Sequence, residues 1–426
     1  MAKPKLALIP AAQGGELFSV LPSSGVGDFD FSRSGSATRI NSQGLIEEVD
    51  DGVSRLNYPM IDGKVVGCPH HILEPSRTNK ITYSEDFSNW FTNGSATTSI
   101  NTLISPNGAL NADTLNAAIS NYSGFNKRFT TIIGSSYTNS VFFKKGTQEW
   151  VGLVKSNGSA MAAWFNLGNG TIGTVQSGVD AKIEDFGNGW YRCSITMDAT
   201  ITNSYIQIAV VDYDNSTSNS LVGGNIYAWG AQVEEGSYAT SYIPTNGSVV
   251  TRSAETANGS GDAATFSDSE GVLMAEISAL ADDLNIEAIS INANNADNRL
   301  ALFKWNVSNR LQIRVNINGA TLIDAGVSVS NIEDLNKISL KYKSGDYALW
   351  INGFEVYVNS LADTPIGLSN LSFDSNGSNG VPFKGKTKQL QYYNSALTDS
   401  ELEQLTSWTS FTDMAQGLIL SDKTIL

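Results

Sequence analysis

The chain has 426 residues, with 27 Lys+Arg set against 42 Asp+Glu, a formal charge of −15 and a pI ≈ 4.6. Only 16% of residues are charged while 41% are apolar, and the polar remainder is mostly Gly, Ser, Thr and Asn. That composition belongs to turn-dense all-β proteins and excludes coiled coils and disordered chains. An acidic chain without a Lys/Arg cluster also lacks the electrostatic footprint of a nucleic-acid binder.

In chain order, the opening MAKPKLALIPAA is too short and too Pro-interrupted for a secretory leader. No apolar run reaches the roughly 18 residues of a membrane span. The chain is read as soluble and made in the cytoplasm, with no membrane insertion. Residues 1–80 form an N-terminal β-rich segment that ends near Arg77-Thr-Asn-Lys80, where apolar alternation lapses. A central β domain spans 81–247. Asn-Gly pairs such as Asn93-Gly94, Asn157-Gly158 and Asn188-Gly189 mark strand reversals in it, because this pair readily supplies the two positive φ angles of a type I′ turn. Residues 248–262, rich in Ser, Thr, Asn, Gly and Ala, show no apolar core face and read as a linker.

A second β domain follows over 263–410. Its clearest hairpins are Leu311–Ile317 returning through Asn318-Gly319, and Tyr347–Ile351 returning through Asn352-Gly353 into Phe354–Val358. Near its end, Thr398 and Glu401 form a capping box ahead of Leu402, Leu405 and Trp408, which predicts the one short helix. A tail covers 411–426. The predicted fold class is therefore all-β: an N-terminal segment, two β-sandwich (jelly-roll) domains and one short C-terminal helix.

Motifs that carry chemistry are few. Gly380–Thr387 fits the Walker A pattern, yet Lys388–Tyr393 after it reads as a strand rather than the helix a phosphate cradle needs. Gly168–Gly173 matches the dinucleotide fingerprint but joins two strands. His70 and His71 are the only histidines, and they read as a structural or an exposed pair rather than a catalytic one. Cys68 and Cys193 read as buried unpaired thiols, the common fate of a lone Cys. Asp212 and Asp214 would share a strand face about 7 Å apart, a spacing compatible with a glycosidase pair or with Ca²⁺ ligation, though the simplest reading is a solvated loop. Trp150, Trp164, Trp190, Trp229, Trp305 and Trp350 fall in or beside strands and read mainly as core. Trp350 alternates out of phase with Leu349 and Ile351, so Trp350 with Asn352 is the carbohydrate-binding candidate.

Ser36–Asn41, Gly44–Glu48, Ile72–Asn79 and Tyr83-Ser-Glu-Asp-Phe-Ser-Asn-Trp90 resemble the opening of tailed-bacteriophage head-fibre and head-spike proteins. Phe142–Gly146, Gly187–Arg192, Ala228–Gly236, Thr240–Thr245 and Val250–Ala254 are similar to the jelly-roll module of the same proteins. From Gly271 to Trp408 the chain resembles a concanavalin A-like (laminin G-like) sandwich. The resemblance implies a virion component with an N-terminal attachment segment, displayed on the particle as a homotrimer, whose partners are other virion proteins and host-surface glycans. The missing catalytic set leads to an expectation of no enzyme activity and no cofactor, and the one metal candidate read from the residues themselves is Ca²⁺ at Asp212 and Asp214. A tail fibre or receptor-binding protein, and a glycan depolymerase, are the alternatives.

Overall fold

The computed structural model describes residues 3–9, 25–118, 120–121, 124–156, 160–216, 218–219, 224–377 and 380–408. The Asn157-Gly158 turn and the 411–426 tail lie outside them. Within the described residues the chain is all-β, with a single α-helix at Asp399–Thr406.

The central domain is a sandwich of two six-stranded antiparallel sheets. One runs Phe91–Asn93, Gly124–Thr130, Asn203–Val211, Trp150–Ser156, Ala160–Asn166, Thr171–Val175. The other runs Thr97–Ile104, Leu110–Asn116, Asn225–Glu235, Ser136–Lys145, Trp190–Asp198, Asp180–Asp185. Period-2 alternation makes the layers: along Asn203–Val211, Ile206, Ile208 and Val210 turn into the core, beside Phe125 of the same sheet and with Leu115, Val141 and Phe143 of the other. At Asn188-Gly189 both residues take positive φ, +52° and +76°, as the type I′ reading requires. Gly168–Gly173 joins two strands, as expected.

The C-terminal sandwich pairs a five-stranded sheet, from Ala320–Ser328 through Asn370–Ser372, with an eight-stranded one. Leu273, Ile289, Leu300, Ile313, Leu340 and Leu390 fill the space between them. Gly385–Tyr393 is a strand, so no helix N-terminus follows the Walker-like run. The helix is closed by the expected capping box, with Thr398 Oγ1 accepting from the Glu401 amide at 3.4 Å.

Residues before 80 are built into this C-terminal sheet. Leu6–Leu8 and His70–Leu73 both pair with Gly385–Tyr393, and Arg55–Asn57 extends the sheet beyond His70–Leu73. The stretch read as a linker is likewise integrated: Val250–Arg252 pairs with Arg77–Asn79, and Thr256–Asn258 pairs with Asp30–Ser32. Of its buried residues only Ala257 is apolar, and Arg252, Glu255 and Ser260 are charged or polar, a pattern that hydropathy alternation does not register. Glu255 and Arg252 are 0% and 1% exposed.

Together with Arg33, Arg55 and Glu74 they form a buried ion cluster. Glu255 accepts from Arg33 Nη1 at 2.9 Å, from Arg55 Nε at 2.8 Å, from Arg55 Nη2, and from the Glu74 amide at 2.9 Å. Glu74 accepts from Arg55 and Arg252 at 2.8 Å each and from Ser241 Oγ at 2.6 Å. Lys384 donates to the Glu255 carbonyl from the C-terminal sandwich. One cluster thus ties the N-terminal segment, the end of the jelly roll and both sides of the former linker.

A neighbouring carboxylate is held the opposite way. Glu287, 6% exposed, is pushed up to about 7 by burial, with Lys304 3.7 Å away opposing and Asp283 adding to the rise. A raised folded pKa gives stability that is complete below the unfolded value and lost as pH rises from about 4.5 through 7. Glu287→Gln is therefore expected to stabilise the protein at pH 8 by about 2–3 kcal/mol and to change little at pH 5. Urea unfolding midpoints at the two pH values check this.

Candidate functional site

The segment Tyr83–Trp90 is fixed by its own side chains. Asp86 caps the short 3₁₀ turn Phe87–Asn89 by accepting from the Ser88 amide at 3.0 Å. Phe87 and Trp90, with ring centroids 4.9 Å apart, root the turn in the jelly-roll core. Tyr83, Glu85 and Asp86 are left along one wall of a cleft of about 350 Å³.

The opposite wall comes from a bulge. Register between Thr97–Ile104 and Leu110–Asn116 slips after Ser99, and Asn101 adopts φ +55°. Asp113, 1% exposed, joins the two walls: one oxygen accepts from the Asn101 amide and the other from the Phe87 amide, each at 2.9 Å. The third side, Pro244–Asn246, is stitched on by Ser84, whose Oγ accepts from the Thr245 amide at 2.8 Å and whose own amide donates to Thr245 O at 3.2 Å.

Glu85 accepts from Tyr242 OH and from Asn111 Nδ2, both at 2.9 Å. Burial raises its pKa against those bonds. Burial also raises Asp113, opposed by its two amide donors and reinforced by the charges of Asp86 and Glu85. Asn111 Oδ1 is buried without a hydrogen-bond partner. Lys127 Nζ sits 4.8 Å from the centre of the Tyr83 ring and donates to Asn89 O. The lining is thus rich in fixed acceptors, with Tyr83 and the 55%-exposed Ile100 as apolar surface. Each oxygen of Glu85 accepts one of the bonds from Tyr242 and Asn111 and retains further acceptor capacity, so the cleft suits a ligand that donates hydrogen bonds. Among the described residues no acidic, His or Cys group is placed to hold a metal ion.

The residues singled out in the sequence lie elsewhere. Trp350 is only 7% exposed, beneath the helix with Val272, Tyr393, Leu397 and Leu402, so its face is not open for stacking. The residue does point away from the sandwich core, as its phase implies, but the helix covers that side. Asn352 shapes the turn: φ is +51°, its Oδ1 accepts from the Lys337 amide, and its Nδ2 donates to Asn336 Oδ1. Asp214 anchors the neighbouring strand through the Thr174 amide and hydroxyl at 2.7 and 2.9 Å, and Asp212 accepts from Gln148 at 3.3 Å. His71 is wholly buried against Phe31 and Phe373, and burial lowers its pKa to about 4. Cys193 is buried as expected, whereas Cys68 is exposed. It follows Gly67 in a loop with φ +64°, which lifts it off the sheet before His70 begins the strand.

No family model matches the chain, and no curated protein matches it. Solved structures similar to it include the Ruminococcus gnavus IT-sialidase CBM40 bound to alpha2,3 sialyllactose (17% identity, 35% of this chain and 92% of that one, TM-score 0.30). A putative carbohydrate binding protein from Bacteroides ovatus is 14% identical over 66% of this chain and 78% of that one, TM-score 0.27. The LG4-5 domains of the mouse laminin alpha1 chain are 11% identical over 67% of this chain and 91% of that one, TM-score 0.22.

Proposed function

We propose that this chain is a structural and adhesive component of a bacteriophage virion, a head fibre or spike, and that its jelly-roll cleft binds host-surface glycan. The cleft carries the reading. Its volume, about 350 Å³, lies within the range of small-ligand sites, and its tyrosine ring beside anchored carboxylate and amide acceptors matches what a sugar presents: one apolar face and a rim of hydroxyl donors. The carboxylates favour binding over cleavage, since Glu85 and Asp113 each hold two protein donors that fix them in place. Binding at one site is weak in this reading, and multiple copies, such as a homotrimer, supply avidity.

The virion role is supported by the quoted segments from Ser36 to Trp90, and the ion cluster, which joins the N-terminal segment to both sandwiches, fits a part that holds its domains in place. Antibody raised against the chain is expected to decorate the heads of purified particles. Decoration of tail tips alone would favour a tail fibre, and absence of the chain from purified particles would contradict the virion assignment.

A further inference from the structure

The Asn-Gly pairs that make the turns carry a second chemistry. The glycine nitrogen can attack the preceding Asn Cγ: an N–Cγ bond forms, the Cγ–Nδ2 bond breaks, and ammonia leaves with the glycine amide proton. Water then opens the succinimide to aspartate or isoaspartate. The step needs water alone, and it needs the glycine N–H to be free.

Eleven such pairs occur in the chain, nine of them wholly within the described residues. In seven the glycine amide is already engaged, at Gly108, Gly170, Gly247, Gly259, Gly319, Gly353 and Gly377. Gly247 donates to Thr82 O at 2.6 Å, for example, and Gly353 to Thr406 Oγ1 at 3.1 Å. Gly94 and Gly189 have no such acceptor among the described residues, and both are exposed. We infer that, among the nine described pairs, Asn93 and Asn188 are the sites at which the folded protein converts spontaneously to aspartate and isoaspartate, the other seven being protected by the hydrogen bonds of their glycine amides. At Asn188 the isoaspartate adds a backbone carbon to a two-residue turn that sets the register of Asp180–Asp185 on Trp190–Asp198, so conversion there loosens that sheet edge.

The test is peptide mapping by mass spectrometry after ageing the full chain in mildly alkaline buffer, folded and in parallel in urea. Folded protein is expected to convert at Asn93 and Asn188 roughly 5–10 times faster than at the seven protected pairs, the factor that breaking one hydrogen bond imposes. In urea that preference disappears. The inference is overturned if a protected pair converts as fast as these two in the folded protein, if Asn93 and Asn188 stay intact there, or if the same preference persists in urea.

Discussion

Replacing Glu255 by glutamine is expected to remove about 3–5 kcal/mol of unfolding free energy, the usual consequence of breaking a buried ion pair from one side. Glutamine keeps the volume, so no cavity term enters. What is lost is one of two carboxylates facing Arg33, Arg55 and Arg252, all buried. Burial opposes the charged form of Glu255, but Arg55 outweighs it and holds the carboxyl below its ordinary range; Arg252 and Arg55 do the same for Glu74 against its burial. Depressed carboxylates contribute stability that is complete above their unfolded pKa and lost as pH falls below about 4.5 toward their folded values. Wild type and Glu255→Gln should therefore differ most at neutral pH and converge in acid; the Glu287→Gln difference also vanishes in acid but has the opposite sign, the variant being the more stable at high pH. The exposed Lys145–Glu149 pair is the control, with Glu149→Gln expected to cost about 0–1 kcal/mol. Equilibrium urea denaturation measures all three proteins, and a Glu255→Gln loss no larger than the control's would contradict the role given to the cluster.

That cluster marks where sequence reading stops. Hairpins at Asn318-Gly319 and Asn352-Gly353, the alternating strands and the Thr398 capping box were legible because each is encoded within a few residues of itself. Glu255 and Arg55 are 200 positions apart, and charges read as surface unless their partners are known. The same blindness turned residues 248–262 into a linker. Covering works the same way for Trp350: strand phase sends it off the core, and only the packed helix shows that the second face is buried too.

Tyr83→Ala is expected to weaken glycan binding by about tenfold, the equivalent of roughly 1.4 kcal/mol and near the upper range of an aromatic contact. Tyr83 joins Asn246 through backbone pairing, which alanine preserves, so folding should be spared. Glu85→Gln should weaken binding by a similar factor, because it takes a charge-assisted acceptor from the cleft wall. Glu85, Asp86 and Asp113 line a cleft on a chain of net charge −15, so neutral sugars are favoured over uronic or sialic acids, whose carboxylates would meet like charge. None of these residues stood out in the sequence as a binding group. The Tyr83–Trp90 segment enters the sequence reading only through its resemblance, and Asp113 and Asn101 meet at the cleft only through a bulge that no local pattern announces.

Direct titration of the full chain with neutral oligosaccharides from a host surface, for wild type, Tyr83→Ala and Glu85→Gln, tests the central claim. Saturable binding by wild type, about a tenfold loss in each variant, and unfolding midpoints within error of wild type for Tyr83→Ala are expected. Absence of glycan binding by wild type, or binding that both substitutions leave intact, would contradict it.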